Sequence, residues 1–66
     1  MNLENNVIKL FQKMETEIEK CIPDAEKFIE GNNSAGTRVR KYMQAVKEIA
    51  QEIRVEIQKQ KNSVTA

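Results

Sequence analysis

The sequence predicts an all-α protein, an antiparallel two-helix hairpin with long helices over about 3–30 and 34–60, which dimerises into a four-helix bundle. Three observations predict it. Apolar residues recur in alternating steps of four and three on both sides of one central break, the spacing that keeps a helical stripe facing a partner. The break, Gly31-Asn32-Asn33-Ser34, is where glycine meets a cluster of helix-capping residues. Finally, a chain of 66 residues buries only about 60% of the surface that it exposes unfolded, so it needs a disulfide, a metal or a second copy.

In the first helix the stripe is Val7, Phe11, Met14, Ile18, Cys21, Ala25 and Phe28, a heptad seam without a skip. Pro23 interrupts it, because proline removes one helical hydrogen bond and crowds the preceding turn. Two readings compete there: a continuous helix kinked near Cys21-Ile22, or a stop and restart with Pro23 at the first helical position. The unbroken heptad phase favours the kink. Gly31 then supplies the left-handed residue that ends helices, and Asn33 or Ser34 can cap the next one. A connection of about three residues makes the helices antiparallel neighbours. The second seam is Val39, Met43, Val46, Ala50, Ile53 and Ile57, matched to the first in length at about 30 Å of rise.

Both helices are apolar beyond their seams. Ile8, Ile22 and Ile29 form a second row on the first helix, with Leu3 and Leu10 on its other flank; Tyr42 and Ile49 flank the second seam. A hairpin needs one narrow stripe from each helix, so so wide an apolar surface marks an interface, most simply with a second copy. The residues expected at that homodimer interface are Val7, Ile8, Phe11, Met14, Ile18, Ile22, Phe28, Ile29, Tyr42, Met43, Val46, Ile49 and Ile53. The hairpin is expected to occupy residues 1–61 and a frayed tail residues 62–66, which lack any pattern.

Composition excludes several classes of function. The single cysteine, Cys21, reads as a small buried hydrophobe in a reducing cytoplasm, and with no histidine the chain cannot assemble a Cys–His zinc site or an imidazole base. Two glycines and no Gly-Lys-Ser/Thr run give no phosphate loop. Glu15 and Glu19, four apart, read as a solvated face, while Met14 and Met43 read as core filling. No enzyme activity, metal, cofactor or small-molecule substrate is expected. No apolar run approaches the roughly 20 residues of a membrane span, and the N-terminus has no signal-peptide character, so no membrane partner is expected and the cytoplasm or nucleoid is.

The net charge of +1 conceals an asymmetry: residues 1–30 sum to −3 and residues 31–66 to +4, with all three arginines in the second half. Arg40, Lys47, Arg54 and Lys61 recur every seven residues beside the second seam, accompanied by Gln44, Gln51 and Gln58. Bases about 10.5 Å apart along a helix can reach successive phosphates of a duplex, and each phosphate neutralised releases counterions. The competing reading is pairing within the hairpin, since Arg54 falls opposite Glu15; Arg40, Lys47 and Lys61 fall opposite isoleucines, which favours the free stripe. The start of the second helix points the same way. Ser34, Ala35, Gly36 and Thr37 are small enough to let an anion approach the open N–H groups, and Arg38, Arg40 and Lys41 follow at once, where the helix dipole disfavours cations. Only Tyr42 lies near the bases to stack on single-stranded nucleotides, which argues for a duplex backbone over single-stranded bases. The expected contact residues are Ser34, Thr37, Arg38, Arg40, Lys41, Gln44, Lys47 and Arg54. The alternative is an adaptor bundle whose wide apolar face docks another protein.

Asp24-Ala25-Glu26-Lys27-Phe28, Gly31-Asn32 and Ala35-Gly36-Thr37-Arg38-Val39-Arg40-Lys41, continued by Met43-Gln44 and Ile49-Ala50-Gln51-Glu52-Ile53-Arg54, resemble the bacterial linker-histone-like family of nucleoid proteins. Its best-known members are the chlamydial histone-like proteins, and short members occur in Bacteroidetes. The resemblance covers about residues 24–60 and implies DNA binding without sequence preference and chromosome compaction, with Arg38, Arg40, Lys41 and, more weakly, Arg54 as contacting bases. The chlamydial type carries a long lysine- and alanine-rich tail, where this chain has Lys59-Gln60-Lys61 before a neutral end.

Overall fold

Two helices form in the computed structural model, which describes the backbone of residues 4–65 and the side chains of residues 4–62. Leu3, expected on a flank of the first helix, lies outside them. Helix α1 spans Asn6–Ile29 and α2 spans Asn33–Thr65, packed side by side as a hairpin with no strand among the described residues.

Local chemistry sets the ends. Asn5 caps α1, its Oδ1 accepting the Val7 N–H at 2.8 Å. Pro23 lies inside a continuous α1, which excludes the stop-and-restart reading. At the turn, Gly31 takes φ +108°; its N–H donates to Phe28 O at 3.0 Å and that of Asn32 to Lys27 O at 3.0 Å. This pair of bonds satisfies the last carbonyls of α1 and requires a left-handed residue, which glycine adopts without steric cost. Asn32, not Asn33 or Ser34, caps α2, its Oδ1 accepting the Ala35 N–H at 3.1 Å. Helix α2 continues through Thr65, five residues beyond its expected end near residue 60.

The line of contact between the helices is rotated from the expected seams. Among the described residues only Cys21, Ala35, Ile49 and Ile53 are buried, with Leu10, Met14, Tyr42 and Val46 half-buried around them. Ile49, expected as a flank, is 3% exposed, whereas the seam residues Phe11, Ile18, Phe28, Met43 and Ile57 are 40–51% exposed. Specific contacts at the two ends accompany this rotation. At the open end Asn5 and Gln60 exchange two amide hydrogen bonds of 2.9 and 3.0 Å, and Asn6 Nδ2 donates to Glu56 at 3.4 Å. Near the turn the Arg38 guanidinium grips Asp24 Oδ1 through both Nε and Nη2 at 3.0 Å. There too the Phe28 ring lies against Gly36, where a Cβ would come within 2.6 Å of Cδ1. Glycine lets the ring close over the start of α2.

The product is a plank of Cα extents 54 × 20 × 11 Å, a single layer of helices. Domains ordinarily enclose a core between two layers. This hairpin therefore has a contact line rather than a core.

Candidate nucleic-acid interface

The rows flanking the contact line decide what each side of the plank offers. On α1 the contact row passes through Leu10, Met14 and Cys21, and the exposed residues Phe11, Ile18 and Ile22 stand one or four positions after its members. On α2 it passes through Tyr42, Ile49 and Ile53, and Met43, Ala50 and Ile57 are displaced in the same sense. In an antiparallel pair, rows displaced in the same sense fall on the same side. The two apolar rows thus share one face, called the front here. Beside the turn it opens into a cleft of about 570 Å³ lined by Ala25, Phe28 and Ile29 of α1 and Gly36, Val39 and Arg40 of α2.

A further step of one or four residues in that sense reaches the edges of the front face. On α2 this edge is Arg40, Lys47 and Arg54, all exposed, and it contains no acid. On α1 it is Glu15, Glu19 and Glu26, also exposed, and it contains no base. The four lysines of α1 (Lys9, Lys13, Lys20 and Lys27) and the three glutamates of α2 (Glu48, Glu52 and Glu56) stand away from the front edges. At the open end of the back, one groove is lined by Lys9 and Lys13 together with Glu52 and Glu56.

All eight residues expected to contact nucleic acid are exposed. Five of them, Thr37, Arg40, Lys41, Gln44 and Lys47, surround one shallow groove of about 570 Å³ on the outer surface of α2. Arg54 lies two turns further along the same edge, and Ser34 stands apart at the turn. Arg40, Lys41, Lys47 and Arg54 have no ion-pair partner among the described residues, and the expected alternative pair of Arg54 with Glu15 does not form. Arg38 differs from the others because its guanidinium is held by Asp24, whose side chain is 13% exposed. The N-terminus of α2 is also less open than its small residues implied: the Asn32 cap already uses the Ala35 N–H. No acid lies in that first turn.

Sequence reasoning missed the Asp24–Arg38 pair. Its signal is symmetry, because the two residues stand at equal distances on either side of Gly31 and an antiparallel hairpin brings such positions level. Among the described residues no group of His, Cys, Asp or Glu is arranged to hold a metal ion, and no helix is long and apolar enough to cross a membrane.

Fold and edge together define a small helical-hairpin module with one uniformly cationic margin. The chain belongs to the family described as Histone H1-like protein Hc1, whose family model matches residues 8–63. This is a histone-like family and not an enzyme family. No curated protein and no solved structure gives a significant match.

Proposed function

We propose that the protein is a histone-like DNA-binding protein of the nucleoid, which holds the phosphates of double-stranded DNA through α2 without reading base sequence. The observation that carries this reading is the exposed edge Arg40, Lys47 and Arg54, which has no acid within it and no ion-pair partner among the described residues. Two further supports are the groove that gathers Thr37, Lys41 and Gln44 beside Arg40 and Lys47, and membership of a histone H1-like family. Lysine and arginine on a smooth helix edge meet a regular phosphate backbone, whereas base readout needs an element inserted in a groove. Arg38 is a secondary contact, since phosphate would have to compete with Asp24 for it. Self-association through the front face completes the proposal, since it would give one particle two such edges.

The test is a salt titration of binding to two unrelated duplexes of equal length. The expected result is equal affinity for both and a steep salt slope, falling by about 0.9 for each base of Arg40, Lys47 and Arg54 changed to glutamine. Arg38→Gln should change the slope less than Arg40→Gln. Absence of binding at micromolar protein and low salt would refute the proposal. The exposed apolar front also favours a second reading, an adaptor that docks a different protein. It predicts a chain that stays monomeric in sedimentation, and it requires no DNA affinity.

A further inference from the structure

The front face carries more information than its apolarity. The chain as a whole is also rich in surface: 5312 Å² is accessible, where a compact monomer of 7.6 kDa exposes about 4300 Å². The excess of about 1000 Å² is comparable to the roughly 800 Å² that each partner contributes to a standard protein interface. The margins of the face are opposite in sign, Glu15, Glu19 and Glu26 along α1 and Arg40, Lys47 and Arg54 along α2. An apolar strip separates them, so they cannot neutralise each other within one chain.

We infer that the front face is covered by a second copy of this chain in a defined arrangement, with α1 of each protomer packed on α2 of its partner. This inference rests on the self-association proposed above and is independent of the DNA contacts. Two twofold arrangements bring the front faces together with helices aligned. In one, the axis crosses the helices, each helix lies on its own copy, and acidic edge meets acidic edge while basic meets basic. In the other, the axis runs parallel to the helices, α1 lies over α2 of the partner, and both seams join an acidic edge to a basic one. Like charges along a rim disfavour the first and opposite charges select the second.

Rotation about an axis parallel to the helices leaves every residue at its own height, so the register of the hairpin carries over to the dimer. Asp24 is level with Arg38 within one chain. Glu15 stands nine residues before Asp24 and Lys47 nine after Arg38, while the Asn5–Gln60 pair sets a register three residues longer, so the partner's Lys47 falls at a height between Glu15 and Glu19. Arg40 falls at a height between Glu19 and Glu26 of the facing helix, about one turn from each. Such rim pairs keep their charged heads in water, which leaves the outer side of the basic edge open to phosphate. Pairing of the rims sets the register, and burial of Phe11, Ile18 and Met43 supplies the attraction.

The test is sedimentation equilibrium without nucleic acid, with helicity followed by circular dichroism. The unaltered protein should be a dimer. Glu15, Glu19 and Glu26→Lys should raise its dissociation constant by roughly a hundredfold or more, because several rim pairs turn from attractive to repulsive, and Arg40, Lys47 and Arg54→Glu should do the same. Both sets combined in one chain should restore the dimer to within about tenfold of the unaltered protein, along with any helicity that either set removed. A monomeric unaltered protein overturns the inference. So does a single set that leaves the dimer unchanged, the result expected if each helix lies on its own copy, or a combined variant that fails to recover. Loss of DNA binding in the Arg40, Lys47 and Arg54 variant bears on the nucleic-acid proposal alone, since association is measured without DNA.

Discussion

The two sides of the hairpin use charge in opposite ways. On the back, lysines of α1 and glutamates of α2 share one groove, as Lys9 and Lys13 do with Glu52 and Glu56. Charges of both signs are mixed there within one chain without closing an ion pair among these described residues, and Leu10 and Val55 lie in the groove between them. On the front, like charges are gathered along each edge, and Phe11, Ile18, Met43 and Ile57 lie between. The back mixes the two signs of charge, whereas each edge of the front carries one sign alone. Net charge is blind to this difference: a chain of +1 can carry a cationic edge provided that its acids are confined to other rows.

Four measurements test that contrast. Ile49 is 3% exposed and belongs to neither side, since the hairpin itself buries it. Ile49→Ala should cost about 2–4 kcal/mol in denaturant unfolding at fixed protein concentration, enough to unfold much of a marginal chain. The decisive pair is Ile18→Glu on the front against Val55→Glu, an apolar residue that is 56% exposed and lines the back groove. The first should weaken self-association by about 2–3 kcal/mol in sedimentation, while the second should stay within about 0.5 kcal/mol of the unaltered protein. Equal effects from the two would erase the distinction between the sides. Gly31→Ala, at φ +108°, should lower stability by about 1 kcal/mol through the turn and leave the DNA salt slope unchanged. Asp24→Asn should cost less, about 0.5 kcal/mol, because Arg38 is 45% exposed and its pair is screened. By releasing Arg38, the same change should strengthen duplex binding slightly at low salt.

Much of this molecule was legible in its residues. The two helices, the turn at Gly31 and the antiparallel course follow from periodicity and capping, because those are local interactions. Helix bounds came within a few residues at three of the four ends, and the family resemblance seen in residues 24–60 agrees with the match over residues 8–63. The rotation of the helices was not legible. Val46 and Ile53 lie near the contact line while Met43 and Ile57, equally apolar and on the same seam, lie outside it. An apolar stripe wider than one partner has no centre that periodicity can locate. The individual contacts were partly legible: the basic edge was visible as a row seven residues apart, but the capture of Arg38 by Asp24 needed the register across the turn.

The helices, the break between them, the excess of apolar surface and the rows of charge are properties of the residue order, since each depends on residues within a turn or two of one another. Tertiary structure alone decided which row each helix turns inward. It joins residues far apart in the chain, burying Cys21, Ala35, Ile49 and Ile53 and pairing Asn5 with Gln60, Asp24 with Arg38 and Phe28 with Gly36. Through that choice it put both apolar rows on one side, with an acidic margin on one helix and a basic margin on the other. The division of the plank into a back of mixed charge and a front bordered by edges of single sign follows from that rotation.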